Sequence, residues 1–134
     1  MAPQDAIAFV LSSFYEIISG HKTKKRDWIK MRSLFYPGAL LFPNSITQNP
    51  TDSHGIEIDT YIQTLDRFLS QNDFFEQGAI SQAIVENNIA SVISTYEARR
   101  TMDDQYPFKH GVNFVHLICT ENGWKITSMI WRDS

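Results

Sequence analysis

One cysteine, Cys119, is all that this chain of 134 residues contains. No intrachain disulfide can staple it, and a reducing compartment is open to it. Its neighbours Ile118 and Thr120 offer no activating base, so Cys119 reads as a small buried side chain rather than a nucleophile. Basic charge is not in excess either: the formal net charge is −3. That balance lacks the cationic footprint needed against phosphates, and nucleic acid is not expected as a partner. The one basic cluster, Lys22, Lys24, Lys25 and Arg26, falls between two helical segments and reads as a solvated loop ahead of a phosphate-binding patch. No apolar run approaches the roughly 20 residues that a membrane span needs. The N-terminus lacks the basic region and small-residue cleavage site of a signal peptide, so a cytoplasmic protein without membrane contact is expected. The histidines His21, His54, His110 and His116 match no HxH, HxxxH or HExxH spacing, and no metal site is expected. There is no Ser-His-Asp order, glycine-rich phosphate loop or dinucleotide fingerprint, so triad hydrolysis and nucleotide chemistry fit poorly and no cofactor is implied. No lone carboxylate stands out on an apolar strand face, which would mark a proton-transferring base.

What the chain does have is length for one domain over residues 1–134 with a real core, and an aromatic share of 13%. Trp, Tyr and Phe at that level can line a cavity or an interface as well as a core. Ala6, Ile7, Val10, Leu11, Phe14, Ile17 and Ile18 follow the i, i+3, i+4 rule and predict a helix ending near Gly20. Asp27 can cap a second helix whose Trp28, Met31 and Phe35 share a side, with Pro37-Gly38 ending it. A short strand, Ala39 to Phe42, precedes a long Asn/Pro/Ser-rich loop from Pro43 to Gly55, of the kind that can close over a site. Ile58, Tyr61, Ile62, Leu65, Phe68 and Leu69 mark a third helix. Strands then follow at Ala79 to Glu86 and Ile89 to Arg100, joined by Asn87-Asn88, and a last hairpin runs from His110 to Trp131. Three N-terminal helices ahead of an antiparallel meander give an α+β domain with helices covering one face of a curved sheet.

The last hairpin has no polar side. A two-residue turn at Asn122-Gly123 aligns Val115, Leu117 and Cys119 with Ile130, Ser128 and Ile126 on one face. The other face then carries Phe114, His116, Ile118, Met129 and Trp131. Both faces of such a sheet are expected to meet protein, one a layer of helices and the other a second copy of the chain, which makes a homodimer.

Several strings resemble the nuclear transport factor 2-like superfamily, in particular small SnoaL-like members. They are Arg26-Asp27-Trp28 with Met31-Arg32-Ser33-Leu34-Phe35 and Pro37-Gly38-Ala39; Ser94-Thr95-Tyr96-Glu97-Ala98-Arg99-Arg100; Gly111-Val112-Asn113; and Gly123-Trp124-Lys125-Ile126 through Trp131. The resemblance implies a cone: a strongly curved, mainly antiparallel sheet wrapped around the first helix, with a cavity open at one end and dimers formed through the outer sheet face. It spans isomerases, dehydratases, epoxide hydrolases and cyclases as well as binding modules without catalysis, and fold alone does not choose among them. Close members tend to have Gln where this chain has His116, and an aromatic where it has Lys125.

Catalytic members of that superfamily use a tyrosine from the first helix with Asp, His or Arg on the strands. Here Tyr15 flanks the apolar stripe, where its hydroxyl either points into the cavity as a donor or sits at an amphipathic rim. Trp28 and Tyr61 are aromatic walls or core. Tyr96 shares a face with Val92, Ser94 and Ala98. Glu97 and Arg99 share the opposite face, either as a surface ion pair or, if desolvated, as a base and an anion-binding group. Asn113, polar in an apolar strand opposite Arg132, ties down backbone or faces a ligand. The leading expectation is a small-molecule-binding cone with Tyr15, Trp28, Tyr61, Tyr96, Arg99 and Asn113 as ligand contacts. The enzymatic alternative is cofactor-free isomerisation, dehydration or cyclisation, with Tyr15 as donor and Glu97 or His116 as proton acceptor. A third reading is a cone filled by its aromatics, serving only to bind protein.

Overall fold

Pro3 opens the first helix, α1 (Pro3–Ile18), and its stripe of Ile7, Val10, Leu11, Phe14, Ile17 and Ile18 is buried. The computed structural model describes residues 2–45, 49, 51 and 53–134. Gly20 ends the helix and exchanges two backbone hydrogen bonds with Phe74, at 2.7 and 3.1 Å. The basic cluster divides at this point. Lys24 Nζ donates to the Glu16 and Ser19 carbonyls at 2.8 and 2.7 Å, and the Arg26 guanidinium donates to Ile18 and Gly20 at 3.3 Å and to Leu69 at 3.5 Å. These carbonyls are the orphans of helix C-termini, and cations suit them. The cluster therefore closes two helix ends, while Lys22 and Lys25 remain exposed.

Asp27 caps α2 (Trp28–Ser33) by accepting the Lys30 N–H at 2.9 Å. The helix stops short of the predicted Pro37-Gly38 because Phe35 already pairs with Ile126 in β1 (Phe35–Asn44), a parallel neighbour of the last strand. Pro37 and Gly38 instead fall inside β1, where the register is irregular between Phe35 and Leu40 and Gly38 takes φ +84°. Part of the predicted loop from Pro43 to Gly55 lies outside the described residues. Its first two residues, Pro43 and Asn44, belong to β1, and the two-residue β2 (Ile56–Glu57) follows it. The stripe of the third helix appears as α3 (Ile58–Leu69).

The strands β3 (Phe75–Glu86), β4 (Ile89–Arg99), β5 (Lys109–Thr120) and β6 (Gly123–Asp133) complete a curved, six-stranded sheet of order β2-β1-β6-β5-β4-β3. Among the described residues only β1 and β6 run parallel. Asn87 takes φ +51° in the β3–β4 turn, as the Asn-Asn pair predicts. The β5–β6 turn differs by one residue. Thr120 pairs with Gly123, and Gly123 alone takes positive φ, at +96°. A larger correction follows from Thr127, an extra residue in β6: pairing passes from His116–Ser128 to Leu117–Ile126. A bulge of this kind reverses the faces beyond it. Val115 therefore opposes Met129 and Asn113 opposes Trp131, where Ile130 and Arg132 were expected.

The inner face can be read as rows across the strands. Val85, Ala90, Leu117 and Ile126 make one; Val92, Val115 and Met129 the next; then come Ser94, Asn113 and Trp131. Gly78, Tyr96, Gly111 and Asp133 follow, and the last row is Glu76, Ala98 and Lys109. The aliphatic rows merge with the α1 stripe, Leu41, Ile62 and Leu69 in the core. Side chains become progressively more polar along the strands, and the functional candidates lie in the last three rows. No described helix is long and apolar enough to cross a membrane.

Candidate functional site

Two strand glycines position two tyrosines. A Cβ on Gly78 would overlap the Tyr15 ring, and one on Gly111 would overlap the Tyr96 ring and the Arg132 carbonyl. Tyr15 from α1 therefore lies flat on bare backbone. Its hydroxyl accepts the Asn113 Nδ2–H at 2.7 Å and shares a hydrogen bond with Ser94 Oγ at 2.9 Å. All three residues are buried, and buried polar atoms are expected to find partners in this way. Burial pushes the Tyr15 hydroxyl up to about 12, against the lowering pull of its bond to Ser94. It is a neutral hydroxyl that lines an open groove beside Glu76 and Gly78 and stays outside the narrower cavity between the helices and the sheet.

That cavity, about 90 Å³, lies between α1, α3 and the last three rows of the sheet. Six of its thirteen lining residues are aromatic: Phe14, Tyr61, Phe68, Phe74, Tyr96 and Trp131. Tyr61 stacks on Phe14 with centroids 6.3 Å apart and meets Trp131 edge-on at 5.3 Å. Phe68 meets Phe74 edge-on at 5.9 Å. Burial raises the Tyr61 hydroxyl well above its ordinary range.

The same cavity holds Glu76, Lys109 and Asp133, none of them expected from sequence. Asp133 Oδ1 accepts the Tyr96 hydroxyl at 2.6 Å and lies 3.7 Å from Lys109 Nζ. The Tyr96 hydroxyl is raised, first by burial and then by that bond. Lys109 Nζ also stands 5.6 Å from the centre of the Phe74 ring. Glu76 is half-buried opposite Ala98, whose small side chain leaves the row open. Burial pushes the Glu76 carboxyl up to about 7; Lys109 opposes that rise, and Asp133 adds to it. A carboxyl near neutrality in an apolar cleft can hold or release a proton at physiological pH.

The remaining candidates lie elsewhere. Glu97 and Arg99 face outward and pair at 3.1 Å, as a surface ion pair. Arg99 also donates to the Asp104 carbonyl at 3.0 Å. His116 lies on the outer face in a groove with Ile84, Ile89 and Ile118. The structure thus removes Glu97 and His116 as acceptors inside the cone, and Arg99 as a contact there. Trp28 packs against the core but does not line the cavity, whereas Tyr61, Tyr96 and Asn113 do. Met129 and Trp131, expected on the outer face, point inward. The outer face is instead carried by Ile84, Ile89, Ile93, Phe114, Ile118 and Ile130, with Ile84, Ile89, Phe114 and Ile130 at least 42% exposed. Among the described residues no three His, Cys, Asp or Glu side chains gather as if around a metal ion.

A helix lying in a curved sheet, with a cavity between them, is the α+β cone of the nuclear transport factor 2-like, cystatin-like fold, and this chain has that fold. It is similar over 98% of its length to an NTF2-like protein of unknown function from Shewanella baltica, of which 93% is covered, at 22% identity and a TM-score of 0.68. An NTF2-like protein of unknown function from Silicibacter pomeroyi matches over 100% of both chains at 14% identity and a TM-score of 0.71. An NTF2-like protein with a cystatin-like fold from Novosphingobium aromaticivorans matches over 97% of this chain and 80% of its own at 10% identity, with a TM-score of 0.73. No family model and no curated protein matches the chain. At these identities the likeness establishes the fold and leaves function to the site.

Proposed function

We propose that this chain binds a small, largely apolar molecule in the cavity between α1, α3 and the sheet, with one polar group of the ligand turned toward Glu76, Lys109 and Asp133. The observation that carries the reading is the meeting of six aromatic walls with a charged row in one cleft, the composition of a specific small-molecule site. A fragment screen followed by amide chemical shifts tests it. Fragments should move the resonances of Asn113, Tyr61 and Trp131. Hits confined to the outer groove around Ile84 and His116 would overturn the reading.

Glu76 favours a second reading, cofactor-free proton transfer. With Glu97 and His116 on the outer face, Glu76 is the acceptor in the cavity, and Lys109 is placed to offset negative charge developing on a substrate oxygen. Incorporation of solvent deuterium into small ketones, lost in Glu76→Gln, is the expected sign. Equal incorporation by both proteins would exclude it.

The outer face supports a homodimer through Ile84, Ile89, Phe114 and Ile130, four exposed apolar side chains on one side of the sheet. Exposed apolar side chains gathered on one sheet face mark an association surface. Sedimentation of Phe114→Asp should show a monomer, since a charge buried unpaired at an apolar interface is costly. A dimer that survives Phe114→Asp and Ile84→Asp together would place the interface elsewhere.

A further inference from the structure

The charges in the cavity do not balance. Lys109 is matched by Asp133 at 3.7 Å, and Asp133 also takes the Tyr96 hydroxyl. Glu76 has no side-chain hydrogen bond among the described residues. With Glu76 ionised, the three charges leave the cleft one unit negative and surrounded by rings. An anionic ligand would add a second unmatched negative charge beside Glu76, and a neutral one would leave the carboxylate as it is. A cation would restore neutrality and would also be lined by the rings of Phe14, Tyr61 and Trp131, side chains that attract cations. Lys109 beside the Phe74 ring, at 5.6 Å, shows a cation held against another ring of the same cavity.

We infer that the polar group of the ligand is a cationic nitrogen, and that the site takes a small alkylammonium head caged by Tyr61, Trp131 and Phe14 and paired with Glu76. This deepens the small-molecule reading above and rests on it. Size agrees with the assignment. An apolar cavity of about 150 Å³ takes the six carbons of benzene, so by proportion about 90 Å³ takes roughly four heavy atoms, the size of a trimethylammonium group. Any remainder of the ligand would extend through the mouth.

Three probes share one hydrocarbon head and differ in charge: tert-butylammonium, tert-butanol and pivalate. Each is titrated into the labelled protein at about pH 8, where Glu76 is ionised, with amide shifts as the readout. The ammonium should bind about tenfold tighter than the alcohol, the gain expected of a desolvated cation on rings and a carboxylate. Glu76→Gln should bring the ratio close to one and leave the affinity for tert-butanol unchanged. Wild-type protein at about pH 5 should lose the same preference, which tests the point without relying on a variant to fold. If tert-butanol or pivalate binds as tightly as the ammonium, the cationic assignment is wrong while the cavity reading stands. If none of the three moves the cavity amides, or all act at the outer groove, both fall.

Discussion

Replacing Glu76 by Gln should make the protein more stable, and only at high pH. The glutamine keeps the shape of the protonated carboxyl but cannot ionise. In the folded chain Glu76 moves from its ordinary 4.5 up to about 7, because burial outweighs the help of Lys109. Between those values the folded chain holds a proton that the unfolded chain has released. Stability is therefore fullest below about 4.5 and is lost as pH rises through about 7. At about 1.36 kcal/mol per pH unit the loss is on the order of 3 kcal/mol. An unfolding entropy of about 2.1 cal/mol/K per residue gives roughly 0.28 kcal/mol/K for 134 residues, so the expected gain in Tm is about 10 °C. Thermal melts of both proteins at about pH 5 and pH 8 decide the matter. The curves should lie close together at the lower pH and separate at the higher. The groups facing Glu76 are Lys109, Asp133, Tyr15, Tyr61 and Tyr96, and of these only Lys109 favours its charge. An equal offset at both pH values, or a variant less stable at pH 8, would mean that Lys109 compensates the carboxylate fully and that the burial argument is wrong.

Tyr15→Phe strands the Asn113 amide and the Ser94 hydroxyl in the core, at about 1–3 kcal/mol, and should lower Tm by about 7 °C. Its coupling to Ser94→Ala in a double-mutant cycle should exceed about 0.5 kcal/mol, and simple additivity would refute the network. Gly78→Ala drives a methyl into the Tyr15 ring and should cost about 1–3 kcal/mol by overpacking, read as a lowered urea midpoint with an unchanged slope. Arg26→Ala removes the donor that ties Ile18, Gly20 and Leu69 together. A loss of about 1 kcal/mol is expected, with faster amide exchange confined to the last turns of α1 and α3; uniform acceleration would point to a general loss of stability instead.

The helices α1 and α3 were legible because a 3.6-residue stripe survives whatever packs on it, and the meander from β3 to β6 followed from the turn residues between its strands, whereas no local signal places β1 parallel to β6. The two faces of β4 were separable, Val92, Ser94, Tyr96 and Ala98 on one and Ile93, Thr95, Glu97 and Arg99 on the other, but the sequence leaves open which of them turns inward. The register of β5 on β6 was not legible. Alternation reports a face only when one side is polar, and in a hairpin apolar on both sides the bulge at Thr127 leaves no trace. Tyr61, Tyr96 and Asn113 were found as candidates by type and position. Glu76, Lys109 and Asp133 were missed for a simpler reason: each sits just beyond an expected strand end. The pattern predicts the last hairpin over His110 to Trp131, one residue after Lys109 and two before Asp133, and a strand from Ala79, three residues after Glu76. A signal for Lys109 was present, because Lys109, Gly111, Asn113 and Val115 keep one parity. Longer strands, by one residue at Lys109, two at Asp133 and three at Glu76, gather the charges.

Tyr15 and Gly78 occupy one volume between them, as do Tyr96 and Gly111, so a side chain gained at either glycine competes for space with the ring opposite. Substitutions at these positions should covary across divergent sequences of this fold: a side chain gained on the strand is admitted only where the ring opposite has shrunk. The double variant Tyr15→Ser with Gly78→Val should accordingly fold better than Gly78→Val alone, and it would move the hydrogen-bonding hydroxyl to a new place in the same scaffold. Redesign of the chemistry inside this cone would then begin at the two glycines, the residues that contribute no functional group of their own.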